Sequence, residues 1–296
     1  MKARLFMLPC LLLCCVLLSS CLAEMSSYVP NMPSAVHQAL GHGDKIMASR
    51  QDFTPEQEYY LGRAVAAQLL SRYPAKNDVR ANTYLNRLGQ ALALYSTRPE
   101  TFSGYHFLLL DTDEVNAFAA PGGLIFITTG MLNLVSNEGE LAAVLAHEIA
   151  HVQNNDAVKA IQSSRLTAAL TALGQDAASH YAGGRVSPQL LNIFSDTVGD
   201  ITATLVSKGY SRDQEYATDA AARDILSRAG YDPRSLHVVL RAMQKSAPGG
   251  SAGFGSTHPT AEQRLKALRA TEEQPVKDSE ARSRRFQAAL AAYSSK

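Results

Sequence analysis

Beyond residue 21 the chain has no cysteine; its four are Cys10, Cys14, Cys15 and Cys21. A domain that starts later can form no disulfide and no thiolate-ligated metal site, so a metal there must be held by His, Asp or Glu. Charge of one sign is also missing. The 28 Lys+Arg residues nearly balance 27 Asp+Glu, leaving a net charge of +1, which offers no basic surface to nucleic acid. No run of 18 consecutive apolar residues occurs, and no membrane-spanning helix is expected. What remains is ordinary globular composition, 46% hydrophobic and 19% charged over 296 residues. That length suffices for one large domain or two small ones with ample core.

The N-terminus reads MKARLFMLPCLLLCCVLLSSC. Lys2 and Arg4 precede an apolar stretch at 5–18 that is short for a bilayer span and ends in small residues. The run LSSC at 18–21 resembles a bacterial lipobox, in which the signal peptide is cut before the cysteine and that cysteine takes the lipid. A plain signal peptide or an uncut anchor are the alternatives. Lipidation accounts for the one cysteine that survives such a cut. Leu22 rather than an aspartate follows Cys21. By resemblance to Gram-negative sorting, that implies an outer-membrane lipid anchor facing the periplasm. Residues 1–20 are thus expected to be a lipoprotein signal peptide. Residues 21–50, with Pro30, Pro33, Gly41 and Gly43 and little periodicity, are expected to be a lipidated tether.

From residue 51 the pattern becomes helical. Thr54, Pro55 and Gln57 form a capping-box start for a helix that Pro74 ends, and NDVRANTYLNRLGQALALYS predicts a second. YHFLLLD and LIFITT are short, apolar and β-branched or aromatic, which predicts strands. Between them, Pro121 confines NAFAAPGG to an edge strand or a turn. Two more helices are expected over 157–208, broken near YAGGRVSP, where Gly183 and Gly184 suggest a flap. Another starts at a Ser211/Gln214 capping box and stops at Gly230. The expected fold is α+β and mainly helical, with one domain over 51–270 and a charged, Ala-rich C-terminal helix or tail over 271–296.

Chemistry concentrates in LAAVLAHEIAHVQNND, capped by Asn137 and Glu140. His147 and His151, four residues apart, share one face of a helix, and Glu148 projects about 100° away around it. This HExxH spacing suits two zinc ligands and a carboxylate that takes a proton from an attacking water. One Zn2+ per chain is expected. A third histidine in the metzincin manner needs glycine at position 154 and histidine at 157, and the chain has Asn154 and Ala157. The third ligand is then sought among later glutamates. Glu272, Glu273 and Glu280 lie in the charged tail, and Glu262 sits on a solvent face. Glu215 begins a capped helix, with Asp219 one turn on to accept the second N–H of a ligating histidine. The other histidines, at 37, 42, 106, 180 and 237, show no ligand spacing.

Taken in order, NAFAAPGGLIFITTGML, HEIAH, SRDQEYATD and STHPTAEQRL resemble the gluzincin peptidases of the HtpX and CAAX-prenyl endopeptidase type. Within them, the soluble periplasmic BepA and LoiP class is the most similar, over roughly 51–270. Ala217 departs from the pattern, which often has an acidic residue there. The resemblance implies a zinc endopeptidase that degrades misfolded or misassembled envelope proteins. The alternative is a chaperone-like factor of the outer-membrane assembly machinery with a normally closed peptidase site. It further implies that Asn116, Ala117, Phe118 and Ala119 form a sheet edge bordering the cleft, against which a substrate peptide lies as an added strand. His258 is implied to steady the oxyanion or to close the site as a fourth ligand. Arg264 is either a salt-bridge partner for that segment or a solvated charge.

Overall fold

A computed structural model describes residues 53–159, 188–246, 257–269 and 278–293. Cys21, the expected tether and the glycine pair at 183–184 lie outside them. The order is α1 (Pro55–Arg72), α2 (Val79–Ala93), β1 (His106–Leu110), β2 (Ala117–Ala120), a 3-10 turn (Pro121–Gly123), β3 (Leu124–Thr128), α3 (Thr129–Leu134), α4 (Glu138–Gln153) and α5 (Asp156–Lys159). After the undescribed 160–187 come α6 (Pro188–Ala203), a π-helical turn (Thr204–Lys208), α7 (Arg212–Arg228), α8 (Ser235–Ser246), α9 (Ala261–Ala267) and α10 (Glu280–Leu290). The fold is α+β and mainly helical, with one small mixed sheet.

The sheet order is β1-β3-β2, with β1 parallel and β2 antiparallel to β3. Strand side chains alternate between faces, and both faces are covered. Phe107, Leu109, Ala117, Ala119, Ile125 and Ile127 enter one core with α2, α4 and α7. Leu110, Phe118, Ala120 and Phe126 enter a second with α1 and α6. Strands buried on both sides read as continuous apolar runs, which is why HFLLL and LIFIT are legible.

The two edges of the sheet differ. Asn86 of α2 bonds both the N–H and the carbonyl of Phe107 (3.0 and 2.6 Å), and Asn82 accepts from the N–H of Leu109 (2.8 Å). Lys76 N–H donates to the Leu109 carbonyl at 2.8 Å. These bonds seal the β1 edge. Among the described residues, no hydrogen bond from outside the sheet reaches the backbone of Phe118, Ala119 or Ala120 at the other edge. Pro121 ends β2, as its missing N–H requires, and the turn packs so tightly on α1 that a Cβ at Gly62 would lie 1.9 Å from the Pro121 carbonyl oxygen.

The HExxH-bearing α4 does not confine its apolar residues to one face. Leu141, Ala142, Ala143, Val144, Leu145, Ala146, Ile149 and Ala150 are all at most 3% exposed. Alanine on the remaining sides lets α2, α7 and α8 close around it. Its start is held by charge. Glu138, fully buried, accepts from Tyr84 (2.6 Å) and Tyr231 (2.7 Å) and pairs with Arg285 of α10. Asp278 accepts from the Gly139 N–H at 3.0 Å, while Phe286 and Leu290 anchor α10 in the core. Its end is held by Gln153, which accepts from Thr97 N–H at 2.8 Å, and by Arg98 on Asn155.

Burial pushes the Glu138 carboxyl up, but Arg285 and the two tyrosines outweigh it and hold the pKa below the ordinary glutamate value. A depressed carboxylate contributes stability that is present above its unfolded pKa and lost as pH falls through its folded one. Glu138→Gln is therefore expected to cost on the order of 2 kcal/mol at neutral pH. Its deficit should shrink below about pH 4, as read by denaturant unfolding at several pH values.

Candidate metal centre

The centre is assembled from three capped helices. The α4 cap is built as its sequence suggests: Asn137 accepts from Glu140 N–H at 2.9 Å, and Glu140 accepts from Ser136 N–H at 2.8 Å. Further along α4, the Nε2 atoms of His147 and His151 lie 3.1 Å apart. Ser211 and Gln214 form the capping box of α7, which sets Glu215 in its first turn. Glu215 Oε2 is 3.6 Å from His147 Nε2, and Oε1 is 3.7 Å from His151 Nε2. Thr260 and Gln263 cap α9 and fix the segment before it, where His258 Nδ1 meets Glu215 Oε1 at 2.5 Å. Ligand atoms of His147, His151, Glu215 and His258 fall within 4.8 Å of one another.

Each α4 imidazole is held through its outer nitrogen. Asp219 Oδ1 lies 3.1 Å from His147 Nδ1. Arg264, 1% exposed, donates to Asp219 at 2.9 Å through Nε and lies 3.1 Å from the same Nδ1. Only the carboxylate can accept the ring proton, and that tautomer leaves the Nε2 lone pair facing the cluster. Arg264 is thus a buried ion-pair partner of Asp219, not a solvated charge. For His151 the holder is Asp156, whose Oδ2 is 2.8 Å from Nδ1. Thr218 donates to the same Oδ2 at 2.9 Å, and Gln214 reaches Oδ1 at 3.4 Å.

Asp156 was not singled out in the sequence. Its position depends on Asn155, which adopts a left-handed φ of 56° beyond the α4 C-cap and reverses the chain. The Asn154–Asn155 pair was the available signal, a turn-former placed one residue before a carboxylate. Tyr210 was also missed. Its ring stacks on His151 with centroids 4.4 Å apart and 29° between planes. Gly209 before it has φ of 72°, and a Cβ there would lie 2.1 Å from the Thr257 carbonyl oxygen, so only glycine lets the segment close on Thr257 and His258.

The electrostatics favour a bound cation. Burial raises Glu215, but His258, His151 and His147 outweigh it and hold the carboxylate well below its ordinary range. Asp219 behaves alike, with Arg264 the main opponent of burial. Burial, then the Arg264 charge, drives His147 down to about 3, so it stays neutral with its lone pair free. Burial alone would lower His151, but the bond to Asp156 and the nearby carboxylates raise it, as expected where negative charge is in surplus. Glu148 is pushed up to about 7, chiefly by burial and then by Glu215, against the opposing pull of His151 and Arg264.

These residues fit a zinc ion. Two nitrogens at the usual zinc–nitrogen distance, about 2.0–2.1 Å, and tetrahedral angles lie about 3.3 Å apart, close to the 3.1 Å seen. Glu215 Oε2 is buried without a hydrogen-bond partner, as is Glu148 Oε1, and buried acceptors normally find donors or cations. Glu148, Ala117, Phe118, Ala119, Leu205, Tyr210, Thr257 and His258 line one cavity of about 10 Å³, room for about one water. Asn116 stands just before β2, fully buried, with its amide on Glu114 (2.9 Å) and its carbonyl oxygen accepting from Ala117 N–H (2.9 Å). All four β2 residues are buried as well, so the strand borders the cavity from within the fold.

The chain belongs to peptidase family M48, whose model matches residues 80–272. This is the class that the separated motifs resembled. Among individual relatives, it is 30% identical over 216 residues to the beta-barrel assembly-enhancing protease of Escherichia coli, covering 72% of this chain and 43% of that protein. It is 28% identical over 187 residues to the protease HtpX homolog of Salinibacter ruber, covering 54% of this chain and 65% of that one. With the mitochondrial metalloendopeptidase OMA1 of Schizosaccharomyces pombe it shares 31% identity over 155 residues, 52% of this chain and 42% of the other. The chain spans less than half the length of the Escherichia coli relative.

If Asp156 orients His151, Asp156→Asn should keep the fold and lose zinc affinity by roughly 10- to 100-fold, measured by competition with a chromophoric chelator. Unchanged affinity would reduce Asp156 to a helix-start residue.

Proposed function

We propose that the chain is a zinc-dependent endopeptidase that acts on misfolded or misassembled cell-envelope proteins. His147, His151 and Glu215 would hold one Zn2+, with Asp219 and Asp156 fixing the two rings. The observation that carries this reading is Glu148. It is a carboxylate 1% exposed, beside the cluster, with one oxygen that has no hydrogen-bond partner and a pKa raised to about 7. A purely structural zinc site has no use for such a group. When bound, zinc would acidify a water and polarise a peptide carbonyl.

The chain's own residues would do the rest. The β2 edge over 116–119, where the backbone of Phe118 and Ala119 takes no hydrogen bond from outside the sheet among the described residues, would pair with an extended substrate backbone, which selects weakly among side chains and suits unfolded proteins. Sealing of the β1 edge by Asn82 and Asn86 supports this, because β2 is the edge left for an added strand. Glu148 would take the proton of the attacking water and pass it to the leaving nitrogen. His258 would stand beside the cluster as a further polar group or a resting fourth ligand.

The expected lipid on Cys21 would tether the domain to the outer membrane, in the periplasm of a Gram-negative cell. The relative's name, an assembly-enhancing protease, supports an envelope role. No helix among the described residues is long and apolar enough to cross a membrane. On the same reading, residues 1–20 are the signal, 21–50 the tether, 51–270 the peptidase domain and 271–296 a charged, Ala-rich C-terminal helix or tail, whose α10 packs against the domain through Phe286 and Leu290. Two observations favour a second reading, a chaperone-like assembly factor whose site is normally closed. The cavity at β2 has room for only about one water, and His258 is engaged with Glu215.

Cleavage of casein, or of an unfolded envelope protein, decides between the two. Glu148→Gln is expected to keep stoichiometric zinc and lose roughly 10²- to 10⁴-fold in rate, whereas Glu215→Ala should lose the metal. Zinc bound by the wild type with no cleavage under any condition would favour the assembly factor. Full zinc retention in Glu215→Ala would overturn the ligand set.

A further inference from the structure

Two residues that line the cavity beside β2 hold a buried polar atom with no hydrogen-bond partner, Glu148 Oε1 and the Tyr210 hydroxyl, and Glu215 Oε2 in the adjoining histidine cluster is a third. Orphaned buried groups are uncommon and costly, and three in one neighbourhood call for a common cause. Two are acceptors, accounted for by a water proton and a metal ion. The third is a donor, and hydrolysis of a peptide has one demand that a metal ion meets only in part. As the carbonyl carbon becomes tetrahedral, its oxygen gains negative charge and needs a donor already in place.

From these observations we infer that Tyr210 is a catalytic residue whose hydroxyl donates a hydrogen bond to the carbonyl oxygen of the scissile peptide in the transition state. The inference rests on the endopeptidase reading and deepens it. In the step, the water oxygen bonds to the carbonyl carbon, the π-electron pair moves onto the oxygen, and Glu148 takes the proton. The C–N bond then breaks and the amine leaves with that proton. Tyr210 keeps its own proton throughout.

The geometry prepares Tyr210 for the part. The ring is immobilised face-on against His151, so the hydroxyl position is tied to the same imidazole that would fix the metal. Gly209 is pressed onto the Thr257 backbone, which anchors the chain immediately before Tyr210. The hydroxyl is close enough to Glu148 to be influenced by its charge, yet the two do not bond, so the donor stays unspent. His258, another polar side chain that lines the cavity, has its Nδ1 engaged with Glu215 at 2.5 Å.

Tyr210→Phe keeps the ring and its stack while removing the donor. In the full chain we expect kcat on a quenched fluorescent peptide to fall about 100-fold, with KM and zinc stoichiometry unchanged. A phosphinic peptide, which mimics the tetrahedral carbon, should bind more weakly by about the same factor, whereas the cleaved product peptide should bind as before. The thermal midpoint should hold or rise, since an unsatisfied buried donor has gone. Turnover by the variant at a rate close to that of the wild type, or an equal loss of phosphinic and product affinity, overturns the inference. So does a lowered midpoint, which would make the hydroxyl structural. If the wild type neither cleaves nor binds the phosphinic peptide, the endopeptidase reading fails and takes this inference with it. If the wild type does both and Tyr210→Phe matches it, the inference alone fails.

Discussion

Two carboxylates, each pinned to the outer nitrogen of one imidazole, govern the order of the whole centre. His147 and His151 could rotate about their side-chain bonds and present either nitrogen inward. Asp219 and Asp156 remove that freedom, because a ring that gives its Nδ1 proton to a fixed carboxylate has only Nε2 to turn toward the cluster. The carboxylates are themselves fixed, Asp219 by the buried Arg264 and Asp156 by Thr218. Because Asp219 and Thr218 lie on α7, the helix that delivers Glu215 also sets the orientation of both α4 rings. One helix-to-helix packing decision thus places three separate functional groups.

How much of this was readable from the chain depends on the range of the interaction. Local signals were faithful. Thr54 with Gln57 and Ser211 with Gln214 are capping boxes in the structure, and the two apolar runs are strands. A cap is made by residues three apart, so sequence spacing fully expresses it. The elimination that led to Glu215 also used features the sequence fully expresses, cysteine confined before residue 22 and Asn154 and Ala157 after the pentad, and the glutamate lies beside both histidines.

Contacts across long separations were less legible. Asp156 is near His151 in sequence, yet its role needs the left-handed turn at Asn155, and a lone asparagine rarely announces that conformation. Tyr210 stacks on a ring 59 positions away. Arg264 reads on paper as one surface arginine among many and is among the most buried side chains of the described residues. The all-round burial of α4 was hidden by its alanines. Small side chains give weak periodicity, and it takes three neighbouring helices to show that every face is inside.

The way α4 is gripped has a mechanical consequence. Glu138 and Gly139 bind its start to α10 and the residues just before it, and Gln153 and Asn155 bind the region of its end to the 97–98 segment. The helix is a beam clamped at both supports, by residues that precede it at one end and follow it at the other. Both histidines therefore sit on an element tied to the fold at each end, while the residues that share the cavity with Glu148, Phe118, Leu205 and Tyr210 among them, belong to other segments. The site is a chamber with one wall braced at both of its ends.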